Sequence, residues 1–213
     1  MSLRNKRILI TAGPTWIPID SVRVISNISS GETGILIAEN ALRQGARVTL
    51  LLGPAVEATS KRFIKIIRFR FFNELLNLLT YQLQSQRFHA VIHLAAVSDY
   101  KLKNKIKAKL KSGISKLKLD LVPTQKIINR IKKIAPKIFL VGFKLEPKAT
   151  ILRLIKSADN LFKYAKVDLA VVNVLDENKY FGFILNNQIK ILAKVISRRD
   201  LALKLIRILD KEL

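Results

Sequence analysis

The chain of 213 residues contains no cysteine and only two histidines, His89 and His93. The lack of cysteine excludes disulfides, thiolate zinc sites and a cysteine nucleophile. Two histidines are too few for a histidine-rich metal site, and they argue against a histidine-centred catalytic triad. The chemistry must then come from backbone N–H groups, lysine, asparagine, aspartate and a metal ion carried in by a substrate.

Long apolar segments are also lacking. No run approaches the roughly 18 residues that a membrane span needs, and the apolar stretch after the basic residues 1–7 is too short for a signal peptide. We therefore expect a cytoplasmic protein with no membrane partner. The hydrophobic content of 49% is enough for a sizeable core, which predicts one domain over residues 1–213.

Acidic residues are scarce. The 15 aspartates and glutamates face 39 lysines and arginines, so the net charge is +24. Such a charge is typical of nucleic-acid-binding proteins. The cations are spread along the chain rather than gathered in a tail, which favours an ordinary lysine-rich surface; polyanionic substrates are a third explanation. We therefore do not expect a nucleic-acid partner.

Short apolar runs alternate with helical patterns along the whole chain. This alternation predicts an α/β fold with a mostly parallel, Rossmann-like sheet flanked by helices. Asn186-Asn187 lies between the predicted strands 181–185 and 188–192 and predicts a late β-hairpin. Alternating lysines after residue 100 predict either a strand with one basic face or a basic flap at about residues 100–122. The predicted strands cover residues 7–11, 48–52, 63–67, 90–94, 138–143 and 168–173, and the helices cover residues 35–43, 73–86, 124–133, 150–165 and the segment after Ser197.

Residues 7–53 form a predicted strand, a long loop with two glycine turns, a helix and a second strand. Ser29 is the predicted N-cap of the helix, with Glu32 as its capping-box partner. The first N–H groups of a helix lack partners, and Gly31 and Gly34 would let a phosphate approach the backbone. An ordinary capped helix behind a long loop explains the spacing equally well.

An ordered set of motifs resembles the phosphopantothenate–cysteine ligase family, the phosphopantothenoylcysteine synthetases of coenzyme A biosynthesis. The motifs are TAGPT (11–15), IDSVR (19–23), ISNISSG (25–31) with Gly34, AAVSDY (95–100), AKLKS (108–112), TQKII (124–128), GFKL (142–145) and Asn173. The flavin-dependent decarboxylase domain that precedes this part in many bacterial members is absent, so the sequence resembles a standalone form.

The resemblance implies a ligase that activates 4′-phosphopantothenate as an acyl-nucleotide, releases pyrophosphate and transfers the acyl group to cysteine. It also implies a homodimer and Mg²⁺ carried in on the triphosphate. Bacterial members suggest CTP, which we take as the expected nucleotide, although residues 142–145 also resemble the eukaryotic members that use ATP.

The resemblance also implies roles for twelve residues. The catalytic pair is Asn27, on the acyl group, and Lys109, on the phosphate charge. The nucleotide-binding residues are Gly13, Ser29, Gly31, Gly34, Asp99, Phe143 and Asn173. The substrate-binding residues are Ala95, Ala96 and Arg23, the last across a dimer interface. Without the resemblance, eight of them are better explained as turn residues, caps, surface charges or parts of the core: Arg23, Asn27, Ala95, Ala96, Asp99, Lys109, Phe143 and Asn173.

The chain departs from the family pattern at four positions. Trp16 and Ile17 replace a basic residue and a glutamate, Glu32 stands where a basic residue is common, and Leu161 replaces a nucleotide-binding lysine. These changes concern the identity and affinity of the nucleotide more than the reaction.

Parts of the sequence also suggest two other functions. An NAD(P)-dependent enzyme of the extended short-chain dehydrogenase type resembles residues 91–96, but it needs a G-x-G-x-x-G turn and a Tyr-x-x-x-Lys pair, and the chain has neither. A basic nucleic-acid-binding protein would carry an RNP-like or zinc motif, and neither is found.

Overall fold

The computed structural model describes residues 3–54, 63–104, 106, 108–113, 115–176 and 179–213. The strands are β1 (Arg7–Ala12), β2 (Trp16–Pro18), β3 (Val24–Ser26), β4 (Arg47–Leu52), β5 (Lys65–Arg68), β6 (Ala90–His93), β7 (Tyr100–Leu102), β8 (Leu121–Pro123), β9 (Phe139–Leu145), β10 (Leu169–Asp176), β11 (Lys179–Asn186) and β12 (Ile191–Val195). The helices are α1 (Glu32–Arg43), α2 (Phe72–Ser85), α3 (Ile128–Ile134), α4 (Ile151–Lys156) and α5 (Arg198–Glu212), and a π-helical turn covers Leu161–Ala165.

Eight strands form one sheet in the order β12-β11-β10-β9-β6-β1-β4-β5. The strands from β10 to β5 in that row pair in parallel, and β10, β11 and β12 pair antiparallel. The predicted α/β fold with a mostly parallel sheet is thus confirmed. The late hairpin is also confirmed, but β12 begins at Ile191 because Asn186 Oδ1 accepts hydrogen bonds from the N–H groups of Gln188 and Lys190, which hold this segment in a turn.

The central strand β1 is buried on both faces of the sheet. Ile8, Ile10 and Ala12 belong to the core on one face, which α1 and α5 cover, and Leu9 belongs to the core on the other face, which α2 and α3 cover. Because successive side chains of a strand point to opposite faces, a strand covered on both sides is apolar throughout. This is why Ile8, Leu9 and Ile10 form an apolar run, whereas the buried Thr11 that follows has its hydroxyl hydrogen-bonded to His93.

The starts of two helices differ from the prediction. Helix α1 begins at Glu32 rather than at residue 35, and the prediction of Ser29 as its N-cap is wrong. Gly31 is the N-cap, with a left-handed φ of 73° and no side-chain cap. Helix α2 begins at Phe72 rather than Asn73 because the Glu74 carboxylate accepts hydrogen bonds from the N–H groups of Arg70 and Phe71, at 2.6 and 3.2 Å.

The helix predicted over residues 150–165 is broken. Thr150 caps α4 by accepting a hydrogen bond from the Arg153 N–H. Ser157 Oγ then donates to the Leu154 carbonyl at 2.6 Å at the end of α4, and a π-helical turn follows. By contrast, Ser197 caps α5 as predicted, accepting from the Asp200 N–H at 3.0 Å.

Two small antiparallel pairs lie outside the main sheet. The strands β2 and β3 form a hairpin within the long loop before α1, and β7 pairs with β8 at the base of the predicted flap. The alternative of a basic strand is confined to Tyr100–Leu102 in the described part of the chain. Lys105 and Lys107 fall outside the described residues. Of the helices that the structure describes, none is long and apolar enough to cross a membrane.

Candidate functional site

A cleft of about 670 Å³ opens at the carboxyl edge of the parallel strands. Gly13 follows β1, Ala95 follows β6, and Asn173 lies in the second half of β10. The chain leaves β1 toward β4 on one side and reaches β6 on the other, so the strand order reverses at this point. Ligands of open α/β sheets bind at such a reversal, outside the carboxyl ends of the strands.

Nine of the twelve residues singled out in the sequence line this cleft. They are Gly13, Ser29, Gly31, Gly34, Ala95, Ala96, Asp99, Phe143 and Asn173. The other three, Arg23, Asn27 and Lys109, are not among the described lining residues. The structure therefore brings the proposed nucleotide-binding set together with Ala95 and Ala96, whereas the proposed catalytic pair is not among the described lining residues.

The start of α1 lies directly against β1 at the floor of the cleft. A Cβ atom built on Gly34 would be 2.3 Å from the Cβ of Ala12, so no larger residue fits there without a shift of the helix. Gly31 supplies the left-handed turn that begins α1. Glycine at position 34 is thus required by helix–strand packing, whether or not a phosphate binds above it.

Asn27 joins the loop before α1 to the loop after β6. Its Nδ2 donates to the carbonyls of Ala96 and Val97, both at 3.2 Å. Because this side chain bridges two loops that line or border the cleft, it does more than complete a local turn. Its predicted contact with the acyl group stays a prediction.

Arg23 and the flap residue Leu110 meet at the buried carboxylate of Asp20. Asp20 accepts hydrogen bonds from the N–H groups of Val22 and Arg23 at 2.8 Å, from the Leu110 N–H at 3.1 Å and from Arg23 Nη1 at 2.5 Å. The backbone N–H groups, that of Val22 foremost, lower the pKa of Asp20 to about 2. Asp20 therefore holds the flap against the β2–β3 hairpin. The flap residue that it binds, Leu110, directly follows the exposed Lys109.

His93 lies in the cleft at the end of β6. Its Nδ1 is 2.8 Å from Thr11 Oγ1, and burial lowers its pKa to about 4. His93 is therefore neutral near pH 7, so it does not add positive charge for a phosphate.

Three cations line the cleft in the described part of the chain, and each is paired with a carboxylate. Lys126 Nζ lies 2.6 Å from Asp99 Oδ1, and Lys144 Nζ lies 3.2 Å from Glu146 Oε1. Arg198 Nη1 lies 3.3 Å from Glu32 Oε2. Sequence reasoning quoted the motifs that contain Lys126 and Lys144 but gave these residues no role, and it missed Arg198.

The departures from the family pattern have structural partners. The Trp16 ring meets the Phe71 ring edge-on, with centroids 6.4 Å apart, and Ile17 is buried beside α2. Leu161 lines the cleft and packs close to Gly142: a Cβ atom built on Gly142 would lie 3.3 Å from Leu161 Cδ2. Three of the four substitutions therefore build packing, and the fourth, Glu32, forms the ion pair with Arg198.

The carboxylates do not suggest a metal cage built by the protein alone. Across the described ranges, no group of three or more histidine, cysteine, aspartate or glutamate side chains is placed to hold a metal ion. Among the described lining residues, the carboxylates are those of Glu32 and Asp99, and both have cationic partners. This donor set fits a magnesium ion bound mainly by phosphates and water, with at most one or two protein ligands.

The comparison with known families covers almost the whole chain. Residues 3–206 match the family described as the DNA/pantothenate metabolism flavoprotein C-terminal domain. The chain belongs to this family. The resemblance found in the sequence is confirmed: the match corresponds to the phosphopantothenoylcysteine synthetase part of the coenzyme A biosynthesis proteins.

Among its relatives is the coenzyme A biosynthesis bifunctional protein CoaBC of Thermococcus kodakarensis, 40% identical over 213 residues, which are 100% of this chain and 50% of that protein. The CoaBC of Borreliella burgdorferi is 34% identical over 191 residues, covering 86% of this chain and 45% of that protein. The chain thus spans about half the length of the curated relatives it matches. The solved DNA/pantothenate metabolism flavoprotein of Streptococcus pneumoniae has a TM-score of 0.87 at 26% identity, over 98% of this chain and 100% of that one.

Proposed function

We propose that this chain joins 4′-phosphopantothenate to cysteine through an acyl-nucleotide, as a step of coenzyme A biosynthesis. The observation that carries the proposal is the gathering of nine motif residues in one cleft of a domain of this family. A Cab2 variant solved in complex with phosphopantothenate-cysteine shares the fold, with a TM-score of 0.81 at 19% identity, over 98% of this chain and 87% of that one. That compound is the product expected of this reaction.

The proposed chemistry has two steps. A carboxylate oxygen of phosphopantothenate attacks the α-phosphorus of the triphosphate, and pyrophosphate leaves. The neutral cysteine amine then attacks the acyl carbon, the acyl–oxygen bond breaks, the nucleoside monophosphate leaves with that oxygen, and the nitrogen loses a proton to water. Because both substrates are phosphorylated, the site needs backbone donors and cations more than it needs an acid–base pair.

Residues that line the cleft could bind the phosphates and the base or ribose of the nucleotide. The backbone at Gly13, Ser29, Gly31 and Gly34 would hold the phosphates of the nucleotide. Phe143 and Asn173 would contact the base or ribose.

The remaining roles concern the reacting carbon and the metal. Ala95 and Ala96 leave room for phosphopantothenate, and Asn27, tied to the Ala96 carbonyl, would reach the acyl group. Lys109 would neutralise charge that develops on the phosphates, which requires the flap to approach the cleft. Magnesium would arrive on the triphosphate, where it neutralises phosphate charge, with Asp99 as its nearest candidate protein ligand.

We also propose that the active form is a homodimer. The β2–β3 hairpin exposes Val22 and Val24 by 62% and 39%, beside Arg23. Exposed apolar side chains in such a group are typical of a protein–protein contact. Arg23 uses Nη1 on Asp20, so other N–H groups of its guanidinium remain for a phosphate across the interface. A monomer at micromolar concentration with full activity would contradict the dimer.

The proposal is tested by incubating the protein with 4′-phosphopantothenate, cysteine, Mg²⁺ and either CTP or ATP. We expect a conjugate with the mass of phosphopantothenoylcysteine and an equal amount of pyrophosphate, with faster turnover on CTP. Turnover on ATP at the same or a higher rate would overturn the choice of CTP. No conjugate with either nucleotide would contradict the proposed function.

A further inference from the structure

Arg198 is a cation of the cleft to which the proposed reaction gives no role. It is the first residue of α5, and its side chain is 35% exposed. It lines the cleft together with Glu32, the first residue of α1, so the starts of two helices meet at this wall.

The position of Arg198 is unfavourable for the helix that carries it. The N-terminal end of a helix carries a partial positive charge, so a cation in the first turn of α5 is destabilised. A carboxylate is favoured in the first turn of a helix, and Asp200 is such a residue in α5. Helix stability therefore does not explain an arginine at position 198.

The contacts of Arg198 resemble those of an anion-binding arginine. Its Nη1 lies 3.3 Å from the Glu32 carboxylate, and its Cζ lies 5.9 Å from the centroid of the Tyr180 ring. Burial raises the pKa of the Tyr180 phenol, so the ring stays neutral and offers its face to the guanidinium. A planar guanidinium supported by an aromatic ring presents a fork of N–H donors, which suits carboxylate and phosphate oxygens alike.

Building on the proposed function, we propose that Arg198 binds a phosphate group of a substrate and that Glu32 is its counter-ion in the free protein. On binding, the phosphate takes the place of the Glu32 carboxylate at Arg198. Glu32 suits this exchange because it stands at the start of α1, beside Gly31 and Gly34, where a phosphate would also be attracted. Lys126 and Lys144 also line the cleft, but a lysine is a point charge and lacks the fork.

The test compares three variants with the parent chain: Arg198→Gln, Glu32→Gln and Arg199→Gln. Arg199 is the matched control because it is the next residue of α5, is exposed, and is not among the described lining residues. Calorimetry measures the Kd of CTP, ATP and 4′-phosphopantothenate separately, so that the affected ligand shows which phosphate Arg198 binds. Ligation is measured in parallel.

Arg198→Gln should weaken the binding of at least one of these ligands about tenfold or more, since a hydrogen bond from a charged donor is lost. It should also flatten the dependence of that Kd on salt. Glu32→Gln should tighten the same ligand several-fold because the competing carboxylate is removed. Arg198→Lys, which keeps the charge and is less disruptive to folding, should fall between the parent and Arg198→Gln.

Two results would overturn the inference. The first is an Arg198→Gln variant, or Arg198→Lys if the former does not fold, that binds all three ligands within twofold of Arg199→Gln. The second is a Glu32→Gln variant that binds as weakly as Arg198→Gln, which would show that the carboxylate positions the arginine rather than competing with the phosphate. If the parent binds these ligands but forms no conjugate, the proposed function fails while the effect of Arg198 on binding is still decided.

Discussion

Replacing Gly34 by alanine tests the close contact between α1 and β1 that forms the floor of the cleft. The added Cβ would lie 2.3 Å from the Cβ of Ala12, whereas carbon atoms pack at about 3.5–4.0 Å. The helix must therefore move by more than about 1 Å. Overpacking of this kind costs about 1–3 kcal/mol, and the upper value applies because the clash is with a short side chain fixed on the backbone of β1.

The alanine also favours the helix by about 1 kcal/mol relative to glycine, so the net loss of unfolding free energy should be about 2 kcal/mol. For a chain of this size that loss lowers Tm by about 4–8 °C. Urea denaturation measures it, and the double variant Ala12→Gly with Gly34→Ala should recover most of the loss attributable to the clash. A Gly34→Ala variant as stable as the parent, or more stable, would refute the close packing.

Three further predictions concern the margin of the cleft and its buried groups. Lys109→Gln should slow pyrophosphate release about a hundredfold, whereas Asn27→Asp should permit release and impair coupling to cysteine; parent rates in both would refute these roles. Asp20→Asn should speed trypsin cleavage of the flap, because with Oδ1 still accepting from Val22 and Arg23 the NH2 group takes the place of Oδ2 and cannot accept from the Leu110 N–H; unchanged cleavage would contradict the tether. His93 has a folded pKa of about 4, below its unfolded value of 6.5, so stability should fall by up to about 3 kcal/mol as pH drops from 6.5 to 4; a His93→Gln variant with the same pH dependence would contradict this.

The central strands could be predicted from the sequence because a strand that is buried on both faces needs a short run of apolar residues. In β1, residues 8–10 are all apolar, and the limits of the strand differ from the prediction by one residue. Where an element begins depends on backbone geometry that composition does not reveal. Gly31 starts α1 by a left-handed turn without a side-chain cap, so a search for a capping serine led to Ser29 instead.

The candidate site could be predicted only as far as the family motifs reach. They led to Gly13, Phe143 and Asn173, which the fold brings into one cleft from strands far apart in the chain. The pairing of Glu32 with Arg198 joins residues 166 positions apart and follows no local pattern, so it became visible only in the structure. In the same way, the hydrogen bonds of Asn27 depend on a loop that begins after β6.

The most direct test of the proposed reaction follows the oxygen atoms. Phosphopantothenate labelled with ¹⁸O in its carboxylate is converted with cysteine and CTP, and the products are analysed by mass spectrometry. An acyl-nucleotide intermediate predicts one labelled oxygen in CMP, because the acyl–oxygen bond breaks when the amine attacks. Label in orthophosphate instead, or CMP without label while the conjugate forms, would contradict the account.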